Sequence, residues 1–318
     1  MRAFITGGAG FIGSSLADRL LADGHRVTAY DNFSTGQRSF VAGAARNDRY
    51  ALIEGDLLDT ARLDQAVRGH DVVFHLAANA DVRHGLDHPR RDLEQNTIAT
   101  FNVLDAMRKG GVRRIAFSST GSIYGEPEIF PTPESCPFPR QTSLYGASKL
   151  ACEGLLSAFA TGYGFDAWVF RFVSILGERY THGHVVDFYR QLRANPRELR
   201  VLGDGKQRKS YLYVGDCIDA ILTAMEARPE GFHVFNLGTH EYVTVNESIG
   251  VITRWLGVEP RLIYGGGERG WVGDSPFIFL DTARIRALGW KPKLRIAEAV
   301  ERTVAWLASN PGVLEQRT

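Results

Sequence analysis

Hydroxyl side chains cluster near the middle of the chain, and a tyrosine and a lysine follow a short distance on. Residues 117–125 read FSSTGSIYG, and YGASK places Tyr145 four residues before Lys149. Positions four apart lie on one face of a helix, so the phenol and the ammonium can share a site. An ammonium nearby favours the phenolate, and the sequence therefore predicts that Tyr145 is a base for a substrate hydroxyl held by Thr120. The same spacing also fits a helix surface that carries an ordinary Tyr and Lys beside a Ser/Thr turn.

A glycine-rich stretch at the beginning of the chain is the second group with chemical meaning. FITGGAGFIG has glycines between an apolar run and a helical pattern, at positions 7, 8, 10 and 13. Such glycines permit a tight turn whose N–H groups approach a pyrophosphate at a helix N-terminus. The next apolar run ends at Asp31, where an acid binds the adenosine ribose. This carboxylate repels a 2′-phosphate and no arginine follows until Arg38, so the sequence predicts NAD rather than NADP.

Apolar runs and helical patterns alternate over the first half of the chain, which is typical of a parallel sheet with helices on both faces. Strands are expected at 2–6, 25–31, 50–56, 71–78, 112–119 and 165–173, and helices at 11–23, 60–69, 90–109 and 143–163. Later helices, separated by Gly- and Pro-containing segments, are expected at 184–194, 215–227, 244–257 and 294–308. We predict a doubly wound α/β (Rossmann) domain over 1–173 and a smaller C-terminal α/β lobe over 174–318, joined by short crossings and enclosing a ligand cleft.

Composition and charge limit the classes of function. The formal net charge of +1 argues against nucleic-acid binding, and no apolar run is long enough for a membrane span. The three cysteines are far apart without a CxxC, and the chain opens on an apolar strand without a leader, so a cytoplasmic protein is expected. His182 and His184 lack further ligands at metal-binding spacing, so no metal site is expected.

Taken together, the motifs resemble the extended short-chain dehydrogenase/reductase superfamily. Within it the chain is most similar to the NAD-dependent nucleotide-sugar epimerases of the UDP-glucose/UDP-galactose 4-epimerase type. The resemblance runs nearly end to end and is carried by TGGAGFIG, YDNFSTG, GDLLD, HLAA, NTIATFNVLDA, FSSTGSIYG, YGASK, LGDGKQRKSYLYVGD and ALGWKP.

The resemblance implies a set of cofactor contacts, position by position. It places the pyrophosphate on Gly7, Gly10, Phe11 and Ile12, and the adenosine among Asp31, Asn32, Ser34, Gly36, Asp56 and Leu57. It places the nicotinamide end of NAD near Leu76, Ala77, Ala78, Asn96, Ser118, Tyr145 and Lys149. The catalytic residues that it implies are Thr120, Tyr145 and Lys149.

Substrate contacts follow in the same way, with the second lobe implied to bind the nucleotide sugar. The expected residues are Arg83, Ser119, Thr120, Ser174, Val185, Val186, Val201, Leu202, Lys209, Tyr211 and Arg269. Two departures from the family pattern affect this set. Ser174 stands where the family often has an amide, and Lys209, with Arg208 beside it, stands where an arginine is usual. A homodimer formed by the helices at 90–109 and 143–163 is also implied.

The implied activity is an isomerase reaction, the reversible oxidation of a UDP-sugar at C4 through a 4-keto intermediate. Related 4,6-dehydratases carry Asp-Glu after the threonine, where this chain has Gly121 and Ser122, and related decarboxylases keep a Glu at the second position. Elimination would therefore lack its acid and base. UDP-glucuronate 4-epimerisation and another nucleotide-sugar oxidoreductase or dehydratase reaction stay open. A non-catalytic NAD sensor would be expected to lack Tyr145 or Lys149.

Overall fold

A seven-stranded parallel sheet forms the centre of the computed structural model, which describes residues 1–79, 85–137, 140–228, 230–271 and 274–314. In spatial order its strands are Phe232–Leu237, Asp166–Phe172, Arg114–Thr120, Val72–His75, Arg2–Thr6, Arg26–Asp31 and Tyr50–Glu54. Every neighbouring pair is parallel. The predicted doubly wound sheet is confirmed, with one strand, Phe232–Leu237, that the sequence patterns had not indicated.

Helices cover both faces of this sheet because successive strand residues point to opposite sides. Ala3 and Ile5 pack with one core cluster, whereas Phe4 between them packs with another. The helices on the first face are Phe11–Ala22 and Val214–Ala227. Those on the second face are Thr60–Ala66, Ala99–Gly110 and Leu144–Tyr163. Pro89–Asp92 leads through a π-helical turn, Leu93–Ile98, into Ala99–Gly110, so the helix expected at 90–109 is present with an irregular first half.

The rest of the second half builds a lobe with its own core. Its helices are His184–Ala194, Val245–Leu256 and Ile296–Ser309. Its short strand groups are Ser174–Leu176 with Tyr211–Tyr213, Glu198–Val201 with Arg261–Tyr264, and Val243–Thr244 with Arg208–Lys209 and Phe277–Ile278. Two further short helices are Arg38–Val41 and Ala283–Arg286.

Two elements from the second half belong to the main sheet. The helix Val214–Ala227 packs on its first face, and the strand Phe232–Leu237 pairs with Asp166–Phe172. The chain therefore enters the second lobe, returns to the sheet and leaves again. Among the described residues, no helix is long and apolar enough to cross a membrane.

Candidate active site

The turn after the first strand has a backbone shape that requires glycine. Gly7 has φ +69°, and a Cβ on it would lie 2.8 Å from the backbone of Ala77. A Cβ on Gly13 would overlap the carbonyl oxygen of Gly7. The helix Phe11–Ala22 begins at Gly10 without a side-chain cap, which leaves the N–H groups of its first turn at the positive end of the helix dipole. This turn fits the predicted pyrophosphate site.

A buried carboxylate lies beside the glycine turn, at the end of the second strand. Asp31 accepts hydrogen bonds from the N–H groups of Ala9 (2.9 Å) and Phe33 (2.8 Å). Burial raises the pKa of Asp31, and these two N–H donors lower it by less. A Cβ on Gly36 would lie 2.8 Å from the Asp31 carboxylate, so the chain passes close to this group. A carboxylate has room for further donors, so Asp31 fits the predicted ribose contact.

The residues predicted to surround the adenine end also meet. Asn32 donates from Nδ2 to Asp56 Oδ2 at 2.9 Å, and the Ser34 N–H donates to Asn32 Oδ1 at 3.0 Å. The Tyr30 hydroxyl donates to the carbonyl of Asp56 at 3.0 Å, and Leu57 next to it is buried. These contacts form one wall at the ends of two adjacent strands.

A buried histidine, which the sequence patterns did not indicate, supports the segment that carries Leu76, Ala77 and Ala78. His75 Nδ1 lies 2.7 Å from Thr6 Oγ1, and its Nε2 lies 2.9 Å from Thr100 Oγ1. Burial, with a smaller effect from Lys149, lowers the pKa of His75 to about 3, so the ring is neutral. His75 thus ties its strand to the first strand and to the helix Ala99–Gly110. Its sequence signal was a single polar residue at the end of the apolar run VVFH.

The three predicted catalytic residues converge where the strand Arg114–Thr120 ends and the helix Leu144–Tyr163 begins. The Ser143 side chain accepts from the Gly146 N–H (3.0 Å) and caps this helix. The Thr120 side chain lies close enough to the Tyr145 phenol to lower its pKa. Lys149 is buried, and its Nζ donates to the carbonyl of Ser118 at 2.8 Å. Hydroxyl, phenol and ammonium therefore lie within one small region.

Burial shifts the pKa values of both Tyr145 and Lys149. Although Tyr145 is only partly buried as a residue, desolvation of its phenol raises its pKa to about 12, and the nearby Thr120 side chain lowers it by less. Burial also lowers the pKa of Lys149 to about 8. The Lys149 ammonium is directed at the Ser118 carbonyl, and its effect on the phenol together with oxidised NAD stays a prediction.

A polar network lies beneath the phenol and includes the predicted Asn96. Asn96 donates from Nδ2 to Ser148 Oγ (2.9 Å), and Ser148 Oγ donates to the carbonyl of Tyr145 (2.8 Å). Asn79 donates to both Asn96 Oδ1 (2.8 Å, from its N–H) and Asp92 Oδ1 (2.8 Å, from Nδ2). Sequence reasoning missed Asn79, Asp92 and Ser148. The π-helical turn that aims Asn96 into this network has no sequence signal.

The hydroxyls at the end of the central strand point in different directions. Ser118 Oγ donates to the carbonyl of His75 at 3.2 Å. Ser119 is buried, and its Oγ donates to Glu153 Oε1 at 2.5 Å. The structure therefore does not bring Ser119 to the substrate side, because strand alternation turns its side chain toward the helix Leu144–Tyr163.

The two cations predicted to bind the diphosphate meet around one aspartate. Lys209 Nζ lies 2.7 Å from Asp274 Oδ1 and also donates to the carbonyl of Ser275. Arg269 donates from Nη1 to the carbonyl of Asp274 at 2.8 Å and to Glu126 Oε1 at 2.5 Å. Burial lowers the pKa of Lys209, and Asp274 raises it by less. A diphosphate on these cations would share them with Asp274.

Strand alternation also separates Lys209 from its basic neighbour. The guanidinium of Arg208 lies 3.9 Å from the centre of the Phe277 ring and 5.5 Å from that of Tyr242, which is exposed. Lys209 is the more enclosed of the two. The structure thus places Lys209, and not Arg208, beside Arg269.

The remaining predicted substrate residues differ in accessibility. Val185, Val186 and Val201 are buried in the core of the second lobe, so only their backbone can face a ligand. Leu202 and Ser174 are exposed. Arg83 lies outside the described residues.

Tyr211 is linked to His184, the first residue of the lobe helix His184–Ala194. The Tyr211 hydroxyl lies 3.2 Å from His184 Nδ1, and His184 Nε2 lies 2.8 Å from Ser248 Oγ. Burial lowers the pKa of His184 to about 3. Both ring nitrogens are therefore used in holding the lobe together.

The two positions after Thr120 are small and enclosed. A Cβ on Gly121 would lie 3.3 Å from the carbonyl oxygen of Phe172 and 3.4 Å from Leu280 Cδ1. The hydroxyls of Ser122 and Thr120 are 3.2 Å apart. A carboxylic acid at position 121 would require these neighbours to move.

The fold and this site define a dinucleotide-binding protein with a hydroxyl–phenol–ammonium centre at the carboxyl edge of its sheet. A sequence model of the NAD dependent epimerase/dehydratase family matches residues 3–238, and the chain belongs to that family. Over 316 residues it is 33% identical to the UDP-glucose 4-epimerase of Mycolicibacterium smegmatis, covering 98% of this chain and 99% of that protein.

Solved structures of enzymes with two different activities are similar to this chain. A UDP-galactose 4-epimerase matches with a TM-score of 0.88 and 38% identity over 98% of this chain and 99% of that one. The dTDP-glucose 4,6-dehydratase DesIV of Streptomyces venezuelae, with NAD bound, matches with a TM-score of 0.91 and 26% identity over 99% of each chain. The backbone is thus equally similar to epimerase and dehydratase, and only side chains can separate the two activities.

Proposed function

We propose that this protein is an NAD-dependent UDP-sugar 4-epimerase that acts on a substrate of the UDP-glucose/UDP-galactose type. The observation that carries the proposal is the set of residues at the end of the strand Arg114–Thr120. Thr120 lies beside Tyr145 there, and the next two residues are Gly121 and Ser122. With NAD to accept and return the hydride, oxidation and reduction of a hydroxyl need only Thr120 and Tyr145, whereas dehydration needs a further acid and base. Gly121 has no room for such an acid without movement of its neighbours.

The residues would move one proton in each direction. Tyr145 accepts the proton of the C4 hydroxyl in the oxidation and returns it in the reduction, while Thr120 holds that oxygen. Bound NAD would accept and return the hydride and would add positive charge near the phenol. Burial raises the pKa of Tyr145 to about 12, and the positive charge of bound oxidised NAD would lower that pKa and so favour the phenolate that accepts the proton. The product of the oxidative half is the 4-keto sugar.

The inversion requires that the sugar turn while the rest of the substrate stays bound. Lys209 and Arg269 provide two positive charges for the diphosphate, and neither belongs to the element that carries Tyr145. Neither Gly121 nor Ser122, the two residues after Thr120, brings a charge that could hold the sugar ring in one orientation. A substrate that is held firmly by its diphosphate and has few contacts to its sugar can turn the ring. The ring can then present either face to the hydride donor.

Proton NMR with four substrates and no added NAD tests this proposal. We expect UDP-glucose and UDP-galactose to interconvert, as seen in the anomeric and C4 proton signals, without consumption of free NAD. UDP-N-acetylglucosamine and UDP-glucuronate are the comparison substrates. Loss of the C6 hydroxyl, release of carbon dioxide, or exchange with UDP-glucuronate alone would contradict it.

We also propose that the protein is a cytoplasmic homodimer. An apolar surface supports the dimer: Leu93, Ile98 and Phe101 are exposed along one helical segment, with Phe101 at 46% exposure. Phe101 also contacts Phe159 of the helix Leu144–Tyr163, which continues this surface. Three free cysteines suit a reducing compartment. Light scattering should give about twice the chain mass of 35.2 kDa, and a Phe101→Glu variant should give the single chain mass.

A further inference from the structure

A buried ion pair joins Arg171 to Glu153, which lies one helical turn after Lys149. It has no role in the proposed transfer of the proton and the hydride. Arg171 Nε lies 3.1 Å from Glu153 Oε1, and Arg171 Nη2 lies 2.7 Å from Glu153 Oε2. The two side chains are only 5% and 6% exposed. The contact is bidentate, which fixes the orientation of the two groups as well as their distance.

The ion pair joins the helix that carries Tyr145 and Lys149 to the strand Asp166–Phe172, which lies next to the strand that carries Thr120. Glu153 lies on the same helix face as Tyr145 and Lys149, at successive intervals of four residues. Arg171 is the register partner of Ser119 in the adjacent strand. Glu153 accepts hydrogen bonds from both of them, with Ser119 Oγ at 2.5 Å. The carboxylate therefore fixes the helix over the sheet one residue before Thr120.

Further contacts hold Arg171 itself. Its Nη1 donates to the Tyr124 hydroxyl (2.6 Å) and to the carbonyl of Glu134 (3.0 Å). The Tyr124 hydroxyl donates to Asn236 Oδ1 at 2.8 Å, on the edge strand from the second half of the chain. The network thus spans three adjacent strands and the catalytic helix, and its hydrogen bonds restrict how they move relative to one another.

Stability alone does not account for this arrangement. Removing two charges from water is costly, and apolar residues of similar size often replace a buried ion pair at no loss of stability. What apolar contacts cannot supply is a fixed direction between helix and strand. The approach of Thr120 to the Tyr145 phenol depends on that direction, because Thr120 ends a strand of the sheet and Tyr145 lies on the helix.

We propose that Glu153 is a positioning residue that, through Ser119 and Arg171, holds Tyr145 and Lys149 in register with Thr120. This inference rests on the proposed epimerase function. Small displacements of a reacting group lower turnover without weakening binding of the rest of the substrate. Loss of the positioning network should therefore lower kcat and leave the KM of the UDP-sugar nearly unchanged.

The main test is Ser119→Ala, which removes the link to the catalytic strand and leaves the ion pair. We expect kcat for C4 exchange to fall about 10-fold, with KM changed by less than about twofold. The matched control is Thr303→Val, which removes another buried hydroxyl, one that donates to the carbonyl of Ala299 at 2.7 Å in the second lobe. The inference would be overturned if Ser119→Ala and Thr303→Val lost equal Tm and had equal kcat. It would also be overturned if Ser119→Ala changed KM alone.

A double variant separates positioning from stability. Glu153→Met with Arg171→Met removes both charges, and we expect Tm near that of the wild type with kcat lowered about 100-fold. If the double variant had the kcat and the Tm of the wild type, the ion pair would have only a structural role. If the double variant does not fold, the comparison of Ser119→Ala with Thr303→Val decides.

A spectroscopic readout keeps this inference distinct from the proposed function. In protein labelled with 3-fluorotyrosine, the fluorine resonance that Tyr145→Phe removes reports the surroundings of this phenol. We expect it to shift or broaden in Ser119→Ala and to stay unchanged in Thr303→Val. If the wild type exchanges no sugar at C4, the proposed function fails, and an unshifted resonance in Ser119→Ala would separately overturn the positioning role.

Discussion

Tyr145→Phe is expected to lower kcat for C4 epimerisation by about 10³-fold while the protein keeps its NAD. The phenol is the group in contact with Thr120 that can both accept and return the proton, and loss of a positioned acid–base group typically costs about 10²–10⁴-fold. The ring itself stays, so packing at the start of the helix should be preserved. Turnover is measured from the UDP-galactose to UDP-glucose ratio over time, and bound NAD from the absorbance of the purified protein.

Tyr242→Phe provides the matched control for that substitution. Tyr242 is an exposed tyrosine in contact with Phe277 and Phe279, outside the proposed active site. Removing its hydroxyl should change kcat by less than about twofold. Full activity of Tyr145→Phe would mean that another group transfers the proton, and the proposed mechanism would then be abandoned.

Gly13→Ala is expected to weaken NAD binding by up to about 100-fold. The added methyl would overlap the carbonyl oxygen of Gly7, so the turn that is to receive the pyrophosphate must open. Overpacking of this kind costs about 1–3 kcal/mol, and about 2.8 kcal/mol corresponds to a hundredfold change in affinity. Calorimetric titration of NAD into cofactor-free protein measures the loss, and circular dichroism checks that the variant is folded.

Gly154→Ala is the control, since it makes the same change inside another helix. Gly154 is exposed on Leu144–Tyr163, and a Cβ there would meet nothing within 4 Å. Because alanine is the better helix former, this variant should be more stable by about 0.8–1 kcal/mol and bind NAD normally. If Gly13→Ala bound NAD as tightly as Gly154→Ala does, the glycine turn would not be the pyrophosphate site.

The sequence by itself determined the parts that depend on local spacing. Alternating apolar runs predicted six strands of the main sheet, and the glycine turn and Asp31 predicted where the dinucleotide would lie. The interval from Tyr145 to Lys149 placed two reactive groups on one helix face. The strand and helix predictions are confirmed because strand and helix periods, like the backbone demands of a tight turn, are set by residues near one another in the chain.

Only the tertiary structure decided which of these groups face each other and in what charge state. The strand Phe232–Leu237 belongs to the main sheet although it comes from the second half, and Ser119 faces Glu153 instead of the substrate side. The raised pKa of Tyr145 comes mainly from burial of its phenol. Register, burial and the partner of a buried charge are set by contacts between remote residues, and no local pattern specifies them.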